Sequence, residues 1–361
     1  MHIAIVGPTH PYKGGIAQHT TELAHRLEKA GHEVELISWK TQYPFFYPGA
    51  QFVPKDKPEL APFAKVKRVL SWKNPLGWIR WGRRLREYDQ VVLVWWVPTI
   101  QGPVYLNMLK AMGRQGPTVT VICHNVLAHQ PRRGDRALTR ALLDRVDRII
   151  THTDEQAEVA RSLAPGVDVR TTGLPLILQG KAPVPSTRKS LSHQLVFFGF
   201  VRPYKGLDVL LRAMAAAPSV KLVVAGEFWG GVEPYQEIIE ELGLGSRVTI
   251  DEGYVPSEAI SGLLSHADAL VLPYRNGTAS WNVALAHAHG IPVIATSVGS
   301  LSTQVDDGVD GLLCQPDNVQ ALAKAIKHFY SPGVAAKLRQ SVPKLKTDKT
   351  WQNYLQALLE D

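Results

Sequence analysis

One pattern limits the folds open to this chain more than any other. Short apolar runs alternate with helical stretches, break off over TGLPLILQGKAPVPSTRKS (172–190), and then begin again. HIAIVG (2–7) has the continuous apolarity of a strand buried on both faces. Behind it, Ile16, Leu23, Ala24 and Leu27 recur at helical spacing until Gly31 stops the helix. VELISW, QVVLVWW, TVTVICHN and RIITHT continue the strands of the first half. After the Pro-, Gly- and Ser-rich break come LVFFG, KLVVAG, RVTIDEG, ALVLPY, PVIATS and GLLC, again with helical segments between most of them. Asp317 is the expected N-cap of a helix that turns Leu322, Ile326 and Phe329 inward. Strand–helix–strand units of this spacing build parallel sheets covered on both faces. The expectation is α/β, as two Rossmann-like doubly wound domains facing a cleft, with ligands at the carboxyl ends of the strands.

A chain of 361 residues fits two domains, and 45% apolar against 20% charged residues excludes a disordered polymer. Charge separates the halves. Residues 1–180 carry a net +9 and the remainder −1, so the first half is expected to meet something anionic. The two cysteines, Cys123 and Cys314, show no metal spacing and are expected to be buried thiols in a reducing compartment. MHIAIVGPTH has no basic n-region or long apolar core, so no signal peptide is expected. VVLVWWV ends at Pro98, too short for a bilayer span. A cytoplasmic protein follows, with peripheral contact at the inner face of a membrane left open.

Three stretches carry chemistry. GPTHPYKGGIAQH (7–19) opens the first helix, and Gly14 and Gly15 would let backbone amides approach a phosphate. FFGFVRPYKGLD (197–208) sets Arg202 and Lys205 beside a second helix start, suited to a diphosphate and to charge on a departing nucleotide. A solvated basic loop is the alternative. VTVICHNVLAH (119–129) ends a strand on His124, whose neutral imidazole would hydrogen-bond a substrate hydroxyl or simply be a satisfied structural group.

In order and spacing, KGGIAQH, the LISWKTQYPFFYPG loop (36–49), ICHNVLAH, FFGFVRPYKGLDVLLRA, VVAGEFW, ADALVLPYRNGTAS and HGIPVIATSVGSL with DDGVDGLL resemble glycosyltransferase family 4. The resemblance covers nearly the whole chain. It implies the GT-B fold, with an acceptor-side domain at 1–178, a donor-binding domain at 190–345 and a C-terminal helix at 346–361 crossing back to the first domain. It further implies a retaining transfer of sugar from a nucleotide diphosphate to a glycan, lipid-linked or small-molecule hydroxyl, as in polysaccharide biosynthesis, with no metal and no other cofactor. By the same resemblance Gly14, Gly15 and Gly199 lie by the donor diphosphate, Lys205 and Arg202 neutralise it, and His124 contacts the transferred sugar. Tyr254 and Val255 fall where the base is held.

The chain also departs from that family pattern. The Glu that usually binds sugar hydroxyls and the one that binds ribose are replaced by Gly277 and Leu285, and Thr303 stands where a further Glu often follows. Phe200 occupies the place of the usual Arg, and Arg202 lies two positions on. What remains in NGTASWNVALAHAHG is a helix start: Thr278, then Ser280 as N-cap, with the amides of Trp281, Asn282 and Val283 turned toward an anion. A catalytically silent nucleotide-sugar- or carbohydrate-binding partner of another transferase is the alternative these losses leave open.

The segment 65–86 holds eight Lys and Arg, no acid, and Trp72, Trp78 and Trp81. It suits an anionic lipid surface. It equally suits a sheet-covering helix with Trp78, Trp81 and Leu85 inward. No nucleic-acid module is present, so nucleic acid is not an expected partner.

Overall fold

The computed structural model describes residues 1–43, 61–113, 115–128, 133–177, 190–277, 280–343 and 347–360. The chain divides into two compact units, Met1–Ile177 with Thr347–Asp361, and Leu178–Lys346.

The first unit runs β1 (His2–Val6), α1 (Gly15–Lys29), β2 (Glu33–Thr41), β3 (Val66–Ser71), α2 (Pro75–Arg84), β4 (Gln90–Trp95), α3 (Pro98–Met112), β5 (Thr118–Cys123), α4 (Asp135–Leu143), β6 (Arg148–Thr151), α5 (Asp154–Leu163) and β7 (Asp168–Thr171). Its described strands form one sheet in the order β3-β2-β1-β4-β5-β6-β7. Every pairing in it is parallel. All six residues of β4, QVVLVW, are buried, as a central strand covered on both faces requires.

The second unit contains β8 (Gln194–Phe198), α6 (Leu207–Ala215), β9 (Lys221–Gly226), α7 (Glu233–Glu241), β10 (Val248–Glu252), α8 (Ser257–Ser265), β11 (Ala269–Leu272), α9 (Trp281–Ala288), β12 (Val293–Thr296), α10 (Leu301–Gln304), β13 (Gly311–Cys314), α11 (Val319–Phe329) and α12 (Val334–Ser341). Its sheet order is β10-β9-β8-β11-β12-β13, also parallel. Each order reverses direction beside its first strand, β1 between β2 and β4 and β8 between β9 and β11. Ligands of doubly wound sheets bind at such a switch point. A fully buried carboxylate, Asp268, closes the opposite end of the second sheet. It accepts from Ser192 N at 3.0 Å and Gln194 N at 3.0 Å and pairs with Arg339 at 2.9 Å.

The last helix, α13 (Thr347–Leu359), belongs to the first unit. Trp351 and Tyr354 are buried in that unit's core, and Trp351 Nε1 donates to the Leu176 carbonyl at 3.1 Å. The Leu358 carbonyl accepts from Arg148 Nη1 at 2.9 Å and Gln90 Nε2 at 3.2 Å, which satisfies one of the carbonyls a helix end leaves over.

Three local expectations change. Segment 65–86 is not one helix: VKRVLS is the edge strand β3, and only Pro75–Arg84 is helical, capped by Asn74 Oδ1 accepting from Gly77 N at 3.1 Å. Within it Trp78, Trp81 and Leu85 are buried, so the apolar stripe faces the core. The cap of α11 is Asn318, which accepts from Ala321 N at 2.9 Å. Asp317 instead takes a left-handed conformation (φ 52°) and binds Arg275. Cys123 is buried as expected, but Cys314 is half-exposed.

Candidate active site

In the second unit, two strand ends and a helix start converge on one lysine. The loop after β8 turns through Gly199 (φ 112°) and a short 3-10 turn, Pro203–Lys205, before α6. A Cβ built on Gly199 would lie 3.4 Å from Lys205 Nζ and 3.9 Å from Asn282 Nδ2. Glycine here therefore keeps open the space those two side chains border. Asn282, in the first turn of α9, donates to the Phe198 carbonyl at 3.4 Å and the Tyr274 hydroxyl at 3.5 Å, tying the ends of β8 and β11 together.

Lys205 Nζ sits 5.2 Å from the Tyr274 ring centroid. No carboxylate pairs with it among the described residues. Burial first, then the neighbouring Arg202 cation, lower its pKa from the ordinary value. A cation placed this way, half-buried and lacking an acid, gains most from an incoming anion. Its loop is anchored from behind. Arg275 donates to both oxygens of Asp208 at 2.8 and 2.7 Å, to the Pro203 carbonyl at 2.7 Å and to Asp317 at 2.8 Å.

Ser280 is the N-cap of α9, as expected, and accepts from Asn282 N at 3.3 Å. Its own carbonyl accepts from Gln304 Nε2 at 3.2 Å, which fixes the helix start against α10. Trp281 at N1 is half-buried. Thr278 lies outside the described residues. At Gly277 a Cβ would meet Tyr274 at 3.6 Å, ordinary contact distance, so this backbone does not exclude a side chain where the family pattern has its first Glu. Leu285 is partly buried against the core, and the Thr303 hydroxyl donates to the Ser300 carbonyl at 3.1 Å.

Arg202 is drawn onto a different group: its guanidinium carbon lies 3.7 Å from the Trp229 ring centroid. Trp229 in turn packs on Phe200 (5.4 Å), and Phe200 on Tyr254 (6.0 Å). This aromatic group at the ends of β8, β9 and β10 surrounds Tyr254, with Val255 partly buried beside it. Trp229 was not singled out in the sequence. The signal available was its position just after strand VVAG.

In the first unit Gly14 has φ 95° and ψ 165° and precedes α1, which begins at Gly15 with no side-chain cap. Gly14 therefore supplies a left-handed turn rather than a capping group. His124 follows β5 and is buried. It does not stand by itself: its Nδ1 is 3.2 Å from His152 Nε2, and the His19 ring meets it edge-on at 4.9 Å. His19 also stacks on Trp351 (5.5 Å) and touches Tyr354 (5.1 Å) of α13. Sequence reasoning named His124 and missed its partners. The missing signal was register. Cys123 pairs with Thr151 across β5 and β6, so the next residues, His124 and His152, fall side by side.

Burial pushes all three imidazoles below their ordinary value, His152 to about 4, and in His124 the neighbouring histidines add to the effect. A histidine depressed in the folded state stays neutral there while the unfolded chain takes up protons below about pH 6.5. Stability is thus full above that value and falls as pH drops toward about 4. For His152 alone the loss between pH 7 and pH 5 is roughly 2 kcal/mol. Urea midpoints at the two pH values measure it, and His152→Gln should flatten the slope. An unchanged midpoint would contradict the buried neutral cluster.

Comparison with known proteins now bears on the whole. The family model described as Glycosyltransferase Family 4 matches residues 13–171, and that described as Glycosyl transferases group 1 matches 183–344. The chain belongs to glycosyltransferase family 4. Its two sheets are the two α/β domains of the GT-B fold. It is similar to the D-inositol 3-phosphate glycosyltransferase of Mycobacterium marinum, 28% identical over 237 residues that cover 60% of this chain and 50% of the relative. The match thus spans about half the length of that curated relative. Among solved structures, sucrose-phosphate synthase from Thermosynechococcus elongatus superposes with a TM-score of 0.77 at 20% identity, covering 100% of both chains. Anabaena HepE in complex with UDP superposes at 0.73 and 16% identity, with 99% of each chain covered. Among the described residues, no helix is long and apolar enough to cross a membrane, and no group of three or more His, Cys, Asp or Glu is arranged to hold a metal ion.

Proposed function

We propose that this family-4 glycosyltransferase transfers sugar from a nucleotide diphosphate donor, with retention and without a catalytic metal. The observation that carries the reading is Lys205, half-buried, with no acid paired to it among the described residues, beside Gly199 and the capped start of α9. A diphosphate there meets one cation and the positive end of α9, which begins at Trp281 behind the Ser280 cap. Both favour negative charge as the leaving group departs. Arg202, held on Trp229, adds to the positive field, and Tyr254 and Val255 lie in the aromatic group suited to a base. In the first unit, Gly14 and Gly15 are proposed to serve phosphate binding, and His124 to bind a sugar hydroxyl. The departing phosphate itself takes the acceptor proton. A nucleoside diphosphate such as UDP, which HepE holds, is the natural first ligand to test. At 100 times its Kd a ligand stabilises by about 2.7 kcal/mol, roughly 5–10 °C in melting temperature for a unit of this size. A panel of nucleoside diphosphates that leaves the melting curve unmoved would contradict the reading.

The acceptor side is proposed to work at an anionic lipid surface, consistent with a lipid-linked acceptor. On α2 and its approach Lys73, Arg80 and Arg83 are exposed, and Leu76 beside them is 79% exposed. A cation cluster around one exposed apolar residue suits anionic headgroups. Co-sedimentation with phosphatidylglycerol vesicles should drop in Leu76→Glu. Equal binding of the two proteins would remove this face from the account.

A further inference from the structure

Three adjacent strand ends of the first unit are linked by their histidines in an order that fixes where the protons lie. Thr151 pairs with Cys123 on one side and Thr171 on the other, so His124, His152 and Thr172 follow one another across the ends of β5, β6 and β7. His152 Nδ1 is 3.3 Å from the Thr172 carbonyl, and His152 Nε2 is 3.2 Å from His124 Nδ1.

A carbonyl oxygen only accepts, so His152 Nδ1 carries the hydrogen. A neutral imidazole has one N–H, which leaves His152 Nε2 as a lone pair, and His124 Nδ1 must donate to it. His124 is neutral in turn, so its Nε2 carries a lone pair. The opposite order would set the bare Nδ1 of His152 against the carbonyl lone pairs in a buried place. The His19 ring meets both imidazoles edge-on, and the Tyr354 ring stacks on that of His152.

We propose that His152 is a positioning residue that locks His124 in the Nδ1–H tautomer, so that His124 Nε2 accepts a hydrogen bond from a hydroxyl of the transferred sugar. The sugar rests on the function proposed above; the tautomer does not. An imidazole held as an acceptor recognises an O–H donor and not an ether or carbonyl oxygen in the same place.

The test uses the whole protein labelled with [15N]histidine at pH 7.5. Long-range 1H–15N correlation separates the two tautomers, and loss of cross-peaks in His124→Gln and His152→Gln assigns the rings. The expected result is a protonated Nδ1 and bare Nε2 for both residues. A protonated Nε2 on His124, or an averaged pattern, would overturn the proposal. A second arm reads function. His152→Gln keeps an acceptor oxygen near the Nε2 position, so it should keep the His124 pattern and near-normal kcat. His152→Phe keeps the ring stacked on Tyr354 but accepts nothing, so it should average the His124 pattern and lower kcat about 10-fold with donor KM little changed. Equal kcat in the two variants would overturn the positioning role. An unaltered protein with no turnover would instead defeat the transferase reading, and the spectrum would still decide the tautomer.

Discussion

Lys205→Ala should lower kcat by roughly 100–1,000-fold while the melting temperature without ligand stays nearly where it was. The magnitude is that of removing one donor aimed at charge that develops in the transition state. The fold survives because Lys205 gives up little: the Tyr274 ring centroid lies 5.2 Å from its Nζ, and such a contact contributes about 0.5–1 kcal/mol at partly exposed sites. The variant should also lose most of the nucleotide-induced rise in melting temperature. Lys205→Arg is expected to recover part of the binding but little turnover, because the planar fork is larger than the ammonium it replaces beside Gly199. Circular dichroism, melting curves and initial rates on the same preparations separate the two effects. Normal turnover in the alanine variant would remove Lys205 from the mechanism.

Gly206→Ala should be the most damaging change of a single methyl group in the second unit. Gly206 sits at φ 67°, and a Cβ there would lie 2.0 Å from the Pro273 carbonyl oxygen. The neighbour is backbone and cannot rotate away. A left-handed non-glycine residue costs of order 1–3 kcal/mol, and relieving the overlap requires the Pro203–Lys205 turn to move off the end of β11. The total is roughly 3 kcal/mol or more, or about 6–12 °C in melting temperature. Movement of the turn also carries Lys205 away from Gly199, so nucleotide binding should fall together with stability. Gly245→Ala is the control: nothing lies within 4 Å of its Cβ, and its melting temperature should stay close to that of the parent. Two variants with the same melting curve would show that the close approach of Gly206 to Pro273 is not needed.

How much of this was legible in the sequence depends on which force placed each residue. The doubled sheet was legible because buried parallel strands leave continuous apolar runs, as in β4 and in ALVL of β11. Ser280 was legible because a cap is a local matter of one side chain and two amides. The edge strand β3 was not. VKRVLS mixes cations with apolar residues because most of one end is exposed, and that mixture resembles a helix face. DVRT of β7 is a polar edge strand with still less pattern. At α11 two adjacent residues were both good caps. Arg275, 42 residues before Asp317, claimed its carboxylate and left the cap to Asn318. His152 and Trp229 acquire meaning only once strand ends are placed side by side, which spacing along the chain does not reveal.

The most direct test of the account is donor turnover. The purified protein is incubated with UDP-, GDP- and ADP-sugars, with lipid-linked, glycan and small-molecule hydroxyl acceptors and with chelator present. Free nucleoside diphosphate is quantified by anion-exchange chromatography, and the product linkage is read by NMR. The account predicts that one donor releases its nucleoside diphosphate in step with a glycoside of unchanged anomeric configuration, and that Lys205→Ala does not. Nucleotide binding with no release from any donor would contradict it and make the chain a silent binding partner of another transferase.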